Sequence, residues 1–209
     1  MMHFANKVLS KFPLGGRLAR SRTLRAWSGF EDTIWTRKVS DEVTRQIVLD
    51  LNPEALDVLE ISGQRWSKMG FRSFQMINYP EVDICEDLLP DRYDLVIAEH
   101  IFEHLLRPYK AGRNVHEMLN PDGHFLMVTP FIYKVHENPV DCTRWTETGI
   151  KHFLAECGFS IDKIKTGSWG NRKCIEATFR REFRLFNKYL HSLNNEPELP
   201  IVVWALAQK

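Results

Sequence analysis

Two stretches decide how this chain folds: ALDVLEISG at residues 55–63 and YDLVIAEHIFEHL at residues 93–105. Each opens with a short, nearly continuous apolar run, the length of a strand rather than a helix. A run apolar on both sides of the chain suits a strand covered on both faces, which is the habit of parallel sheets. The first run stops at Gly63, and the second runs into a cluster of acids and histidines.

Outward from these, FRSFQMI (71–77), a short piece at 82–85, HFLMVTPF (124–131), FSIDKIK (159–165) and LPIVVWALA (199–207) read as further strands, seven in all. Helices are expected between them. Residues 41–51 carry Val43, Ile47, Val48 and Leu51 on one stripe, with Ser40 as the cap and Asn52-Pro53 as the stop. Residues 108–119 form a second helix. Residues 120–123, Asn-Pro-Asp-Gly, form a turn in which Gly123 supplies the special backbone angle. Thr146 caps a third helix, closed by Gly158. A fourth, about 175–190, carries Phe179, Phe183, Phe186 and Leu190. Residues 132–145 form a long loop, and long loops in compact domains are often functional. Alternating strands and helices imply an α/β fold with a largely parallel sheet covered on both faces.

The chain has 209 residues, enough for a single buried core, and 44% apolar with 26% charged residues excludes coiled coil, collagen and wholesale disorder. Net charge is +1, but residues 1–30 hold six basic residues and no acid, leaving 22 basic against 27 acidic residues downstream. A mildly acidic body argues against a nucleic-acid partner. Residues 1–30 are read as a basic extension ahead of a single domain at 31–209. The first reading is a solvated extension; the second is peripheral contact with an anionic membrane, which the helical spacing of Phe4, Val8, Leu9 and Phe12 suits. A transit peptide is a weaker reading. The longest apolar run, PIVVWALA, is too short to cross a bilayer. Cys85, Cys142, Cys157 and Cys174 form no CxxC pair and read as reduced thiols, with a cytoplasmic location.

Ligands of open α/β sheets bind beyond the carboxyl ends of the strands, where strand order reverses. Glu60, Ser62 and Gly63 stand at the first such end, either a carboxylate facing a cationic ligand or a plain turn. Asn78 and Tyr79 end the second strand; Asn78 lies 18 residues past Glu60, near the spacing of a ribose contact, or with Pro80 simply makes a turn. Asp83 could accept from an exocyclic amine, or could be a surface carboxylate. At the end of 93–99 and just past it come Glu99, His100, Glu103 and His104. His100 and His104 at i, i+4 could share a metal, but HExxH is not matched and no third ligand appears at a convincing spacing, so no metal is expected. A dinucleotide GxGxxG is absent.

These strings together resemble class I S-adenosylmethionine-dependent methyltransferases, most closely the type 11 methyltransferase-domain group. The carriers are EISG, Tyr93-Asp94-Leu95-Val96, Glu99, Glu103-His104, Leu119-Asn120-Pro121-Asp122-Gly123, and NPVDCTRWT ahead of AECGF. The resemblance implies a Rossmann-like sheet of seven strands and S-adenosylmethionine as cofactor. It implies that Glu60, Ser62 and Gly63 lie at the methionine end, Asn78 and Tyr79 at the ribose, Asp83 and Ile84 at the adenine. Glu99 and His100 would face the methionine or the acceptor. The loop departs from the family: EISGQRW has one glycine, followed by Gln64, Arg65 and Trp66.

For methyl transfer to a hydroxyl, a histidine base is expected, with His100, His104 and His136 as candidates in that order. Asp141, Arg144 and Trp145 read preferably as an ion-pair staple, with an acceptor clamp as the alternative. The function expected is methyl transfer, at oxygen, to a small-molecule or glycan-type acceptor. The alternatives are a methyltransferase-like scaffold without catalysis and a metal-dependent hydrolase built on His100 and His104.

Overall fold

The computed structural model describes residues 28–137, 139–180 and 185–209. The basic amphipathic pattern expected over residues 1–12 falls outside them. Elements run in the order β1 (Phe30–Ile34), α1 (Lys38–Asp50), β2 (Asp57–Ile61), β3 (Ser73–Ile77) and β4 (Tyr93–Glu99). Then follow α2 (Pro108–Met118), β5 (Leu119–Pro130), α3 (Glu147–Glu156), β6 (Ile164–Trp169), α4 (Arg172–Phe179), β7 (Leu185–Asn187) and β8 (Val202–Gln208).

The main sheet has six strands in the order β3-β2-β4-β5-β8-β6. The first four are mutually parallel, while β8 runs antiparallel to both β5 and β6. The chain leaves β2 toward β3 and returns to the other side of β2 as β4. The order therefore reverses between β2 and β4, and a crevice opens above their carboxyl ends.

Alternation along the strands divides the core. Val96 and Ala98 of β4, with Phe125 and Met127 of β5, join α2 and α3 in the largest cluster. Leu95, Ile97 and Leu126 turn to the opposite face, onto Val48 of α1 and Trp66. Trp35, Trp169, Cys174, Phe186 and Trp204 build a third cluster beside it. Helices thus cover both faces, as expected from the apolar runs.

The sheet is one strand short of seven, and the missing strand is the piece at 82–85. There the Asp83 carboxylate accepts from the Cys85 N–H (2.9 Å) and Glu86 N–H reaches the Asp83 carbonyl (2.8 Å). These local bonds satisfy the backbone that a ladder would otherwise use. The strand expected at 159–165 begins instead at Ile164, after a 3-10 turn at Ile161–Lys163. Ser40 is not a cap. A 3-10 turn at Trp35–Arg37 runs straight into α1, so the helix starts three residues early and the Ser40 hydroxyl donates back to the Arg37 carbonyl (3.1 Å). Thr146 does cap α3, accepting from Gly149 N–H (3.0 Å).

The turn at 120–123 is an irregularity inside β5, where pairing jumps from Tyr93 opposite Leu119 to Leu95 opposite His124. Asp122, not Gly123, takes the left-handed angle (φ 61°). Gly123 is needed for space, since a Cβ would sit 2.9 Å from the Asn120 carbonyl oxygen. The helix expected over 175–190 ends at Phe179. Asn171 caps its start through Cys174 N–H, and Phe186 enters the core from β7, which pairs antiparallel with β1 in a separate ribbon.

Candidate active site

The β2–β4 reversal holds a cleft of about 700 Å³. Its floor is apolar, from Ile61, Ile77 and Ile84, and its rim carries Ser62, Tyr79, Asp83, His100 and His104. A smaller cavity of about 200 Å³ adjoins it, walled by Arg37, Tyr133 and His136 among others. His100 belongs to both walls.

The strand ends aim these groups. Ser62 (φ 58°) and His100 (φ 57°) both adopt the left-handed backbone conformation, which is unfavourable for side-chain-bearing residues. Each is held there by its own amide: Ser62 N–H donates to the Ile77 carbonyl (2.7 Å) and His100 N–H to the Val128 carbonyl (2.8 Å). Strained residues held in place this way cluster at functional sites.

Glu60 does not line the cleft. It is 4% exposed, and its two oxygens accept from the Arg65 and Trp66 amides (3.1 Å each). The carboxylate thereby folds the loop after β2 back on itself. Gly63 leaves room for it, because a Cβ there would stand 2.7 Å from Glu60 Oε1. Burial pushes the Glu60 carboxyl above its ordinary value, against the pull of the two amides.

Glu99 also lies off the cleft wall. Its carboxylate takes one bond each from Arg37 and Arg65 (3.0 Å), and Arg65 also reaches Asp41 (2.7 Å). The Arg65 guanidinium, which follows the loop glycine, is therefore matched by two carboxylates. Asn78 is exposed at the end of β3, and Tyr79 is 74% exposed on the cleft rim. The structure thus brings Ser62, Tyr79, Asp83, Ile84, His100 and His104 around one cavity. Glu60, Gly63, Asn78 and Glu99 stand behind or beside it.

The histidines meet a group the sequence did not single out as central. Glu103 is fully buried (0%), with Oε1 3.6 Å from His100 Nδ1 and 3.7 Å from His104 Nε2. Neither carboxylate oxygen has a hydrogen-bond partner, nor does His100 Nε2. Glu103 also anchors the long loop, its carbonyl accepting from Cys142 N–H (2.7 Å) and Thr143 N–H (3.3 Å).

The staple in that loop is present. Arg144 grips Asp141 with both guanidinium nitrogens, one at 2.7 Å, and Asp141 accepts from the His136 amide (2.9 Å). The Arg144 charge holds the Asp141 carboxyl down at about 2. Arg37, Arg107 and Val140 also border the cavities. They lie well away in sequence from the strand ends, which is why the strand-end rule missed them.

Residues 29–127 match the family model described as a methyltransferase domain, of type 11. No curated protein matches the chain. Among solved structures it is similar to an S-adenosylmethionine-dependent methyltransferase from Mesorhizobium loti. The TM-score is 0.51 at 16% identity, over 78% of this chain and 96% of that one. A second, from Archaeoglobus fulgidus, gives TM-score 0.53 at 15% identity, over 80% of this chain and 94% of that one. Haemonchus contortus phosphoethanolamine N-methyltransferase 2, solved with S-adenosyl-L-methionine, gives 0.50 at 11% identity, over 80% and 52%. Residues 29–127 thus resemble the type 11 methyltransferase domain, and the chain shares the fold of these solved S-adenosylmethionine-dependent methyltransferases.

Proposed function

We propose that this protein transfers a methyl group from S-adenosylmethionine to an oxygen of a small-molecule or glycan-type acceptor. One observation carries the reading: a cleft large enough for a nucleoside cofactor meets a smaller cavity, and His100 walls both. Bound S-adenosylmethionine supplies a methyl group already activated by its sulfonium.

The chain's own residues then have three tasks. Ile61, Ile77 and Ile84 give the adenosyl group an apolar bed, with Tyr79 as a cover. Asp83 uses one oxygen for the Cys85 amide and keeps the other for the adenine amine. His100, which walls both cavities with Nδ1 toward Glu103, takes the acceptor's proton. Glu60 and Gly63 act indirectly by shaping the loop after β2. The loop's single glycine suffices because its bend is held by a carboxylate rather than by glycine freedom.

The adenine assignment is tested with S-inosylhomocysteine, in which a carbonyl replaces the exocyclic amine. Wild type should bind S-adenosylhomocysteine about 10–100-fold more tightly than the inosyl analogue, the range of one hydrogen bond to a charged group. Asp83→Asn keeps an acceptor for Cys85 N–H and offers an amide donor, so it should narrow or invert that preference. Equal binding of the two compounds by wild type would refute the role given to Asp83.

A further inference from the structure

Glu103, His104 and His136 offer one ligand atom each, all lying within 4.8 Å of one another. Two facts separate this trio from a chance cluster. Glu103 is fully buried, and both its oxygens lack a hydrogen-bond partner. A buried carboxylate left in that state is costly unless a cation compensates it. Its contacts to His100 and His104, at 3.6 and 3.7 Å, are too long for hydrogen bonds. They are close to the roughly 3.3 Å that separates two ligands on a tetrahedral zinc ion with bonds near 2.0–2.1 Å.

The histidines are also oriented from behind, as metal ligands are. His104 Nδ1 bonds to the Val140 carbonyl, which directs Nε2 at Glu103. His136 Nδ1 lies 3.3 Å from Asp141 Oδ2, and Asp141 is itself fixed by Arg144. Arg144 approaches His136 Nδ1 at 3.5 Å, but its charge is matched by Asp141. The remaining negative charge is that of Glu103. The two rings meet edge to face with centroids 5.0 Å apart.

We propose that Glu103, His104 and His136 form a binding site for a first-row divalent transition metal ion, zinc above the others. The sequence pairs His100 with His104 at helical spacing, but the segment folds as a 3-10 turn at Phe102–His104, and the third ligand comes from the loop 32 residues on. A His₂Glu set leaves at least one coordination position open. Because His104 walls the larger cavity and His136 the smaller, that position serves an oxygen ligand at their junction. The site stands on these side chains alone and does not depend on methyl transfer.

The test uses the full, untagged chain stripped with a chelator. Zn²⁺ is added by calorimetry and Co²⁺ by visible absorption. One ion per chain should bind, with cobalt bands of a four- or five-coordinate site. At 100 times the dissociation constant, Zn²⁺ should raise Tm by about 5–10 °C. Glu103→Gln and His136→Ala should each weaken Zn²⁺ binding at least tenfold. His136 lies on a loop and is partly exposed, so its variant remains informative if Glu103→Gln fails to fold. Exposed Cys142, whose Sγ lies 3.8 Å from the His104 carbonyl, is the competing ligand, and Cys142→Ser should retain the ion. Absence of stoichiometric binding, or binding that survives His136→Ala, would overturn the site.

Discussion

Replacing Glu60 with alanine is expected to lower Tm by about 5–10 °C and to weaken S-adenosylmethionine binding at least tenfold. The carboxylate is buried and takes the Arg65 and Trp66 amides, the second of which is itself buried. Alanine leaves both N–H groups without an acceptor, at about 1–3 kcal/mol each. Release of a desolvated carboxylate recovers part of this, so a net loss of about 2–3 kcal/mol remains, and a chain of this size loses about 2–4 °C per kcal/mol. The affinity falls because the loop from Ser62 to Trp66 would no longer be folded back from the cleft. The pH dependence has a definite sign. The folded carboxyl titrates above its ordinary value. Between the unfolded and folded values the native state holds more proton, so this group's contribution to stability falls as pH rises through that window. Thermal melts of both proteins between pH 4 and 8 check this, and a variant as stable and as tightly binding as wild type refutes the clasp.

The second large effect is expected at Asp141. Asp141→Ala strips Arg144 of its bidentate partner and the His136 amide of its acceptor. The Asp141 side chain is only 4% exposed, and breaking a buried pair costs about 3–5 kcal/mol. Taking the lower figure for a loop site, Tm should fall by about 6–12 °C. Amide exchange should quicken between residues 136 and 144. Arg144 holds the Asp141 carboxyl at about 2, below the unfolded value near 3.9. Its stabilisation is therefore full above about pH 5 and is lost as pH falls toward 2. The gap between wild type and variant should close over that range. A constant gap would assign the loss to packing rather than to the ion pair.

What could be read from the sequence depends on how local the deciding physics was. β4 was legible to the residue, because seven apolar-centred positions buried on both faces allow no other element. Thr146 was legible because a cap is a bond to the next turn. The piece at 82–85 was not, since Val and Ile suggest a strand while the Asp83 side chain diverts the backbone. Phe186 fits a helical stripe with Phe179 by number alone, and its true partners, Trp35 and its neighbours, are distant in sequence.

The site divides in the same way. The strand-end rule named Ser62, Tyr79, Asp83, His100 and His104, and the resemblance added Ile84; all line one cleft because a parallel sheet carries its carboxyl ends to one edge. It also named Glu60 and Glu99, whose positions are at that edge but whose carboxylates are spent on Arg65, Trp66 and Arg37. Burial of Glu103 was invisible, because an acid between histidines in a polar string reads as solvated. The loop that returns to it, with the Cys142 and Thr143 amides on its carbonyl, lies about 40 residues on in the chain.

The proposed function puts the cofactor in the cleft between β2 and β4. Isothermal titration calorimetry with S-adenosylmethionine and S-adenosylhomocysteine tests it most directly. One molecule of either should bind per chain, with a dissociation constant on the order of 1–100 μM, in the usual range for enzyme ligands. No binding heat from either compound at millimolar concentration would contradict it.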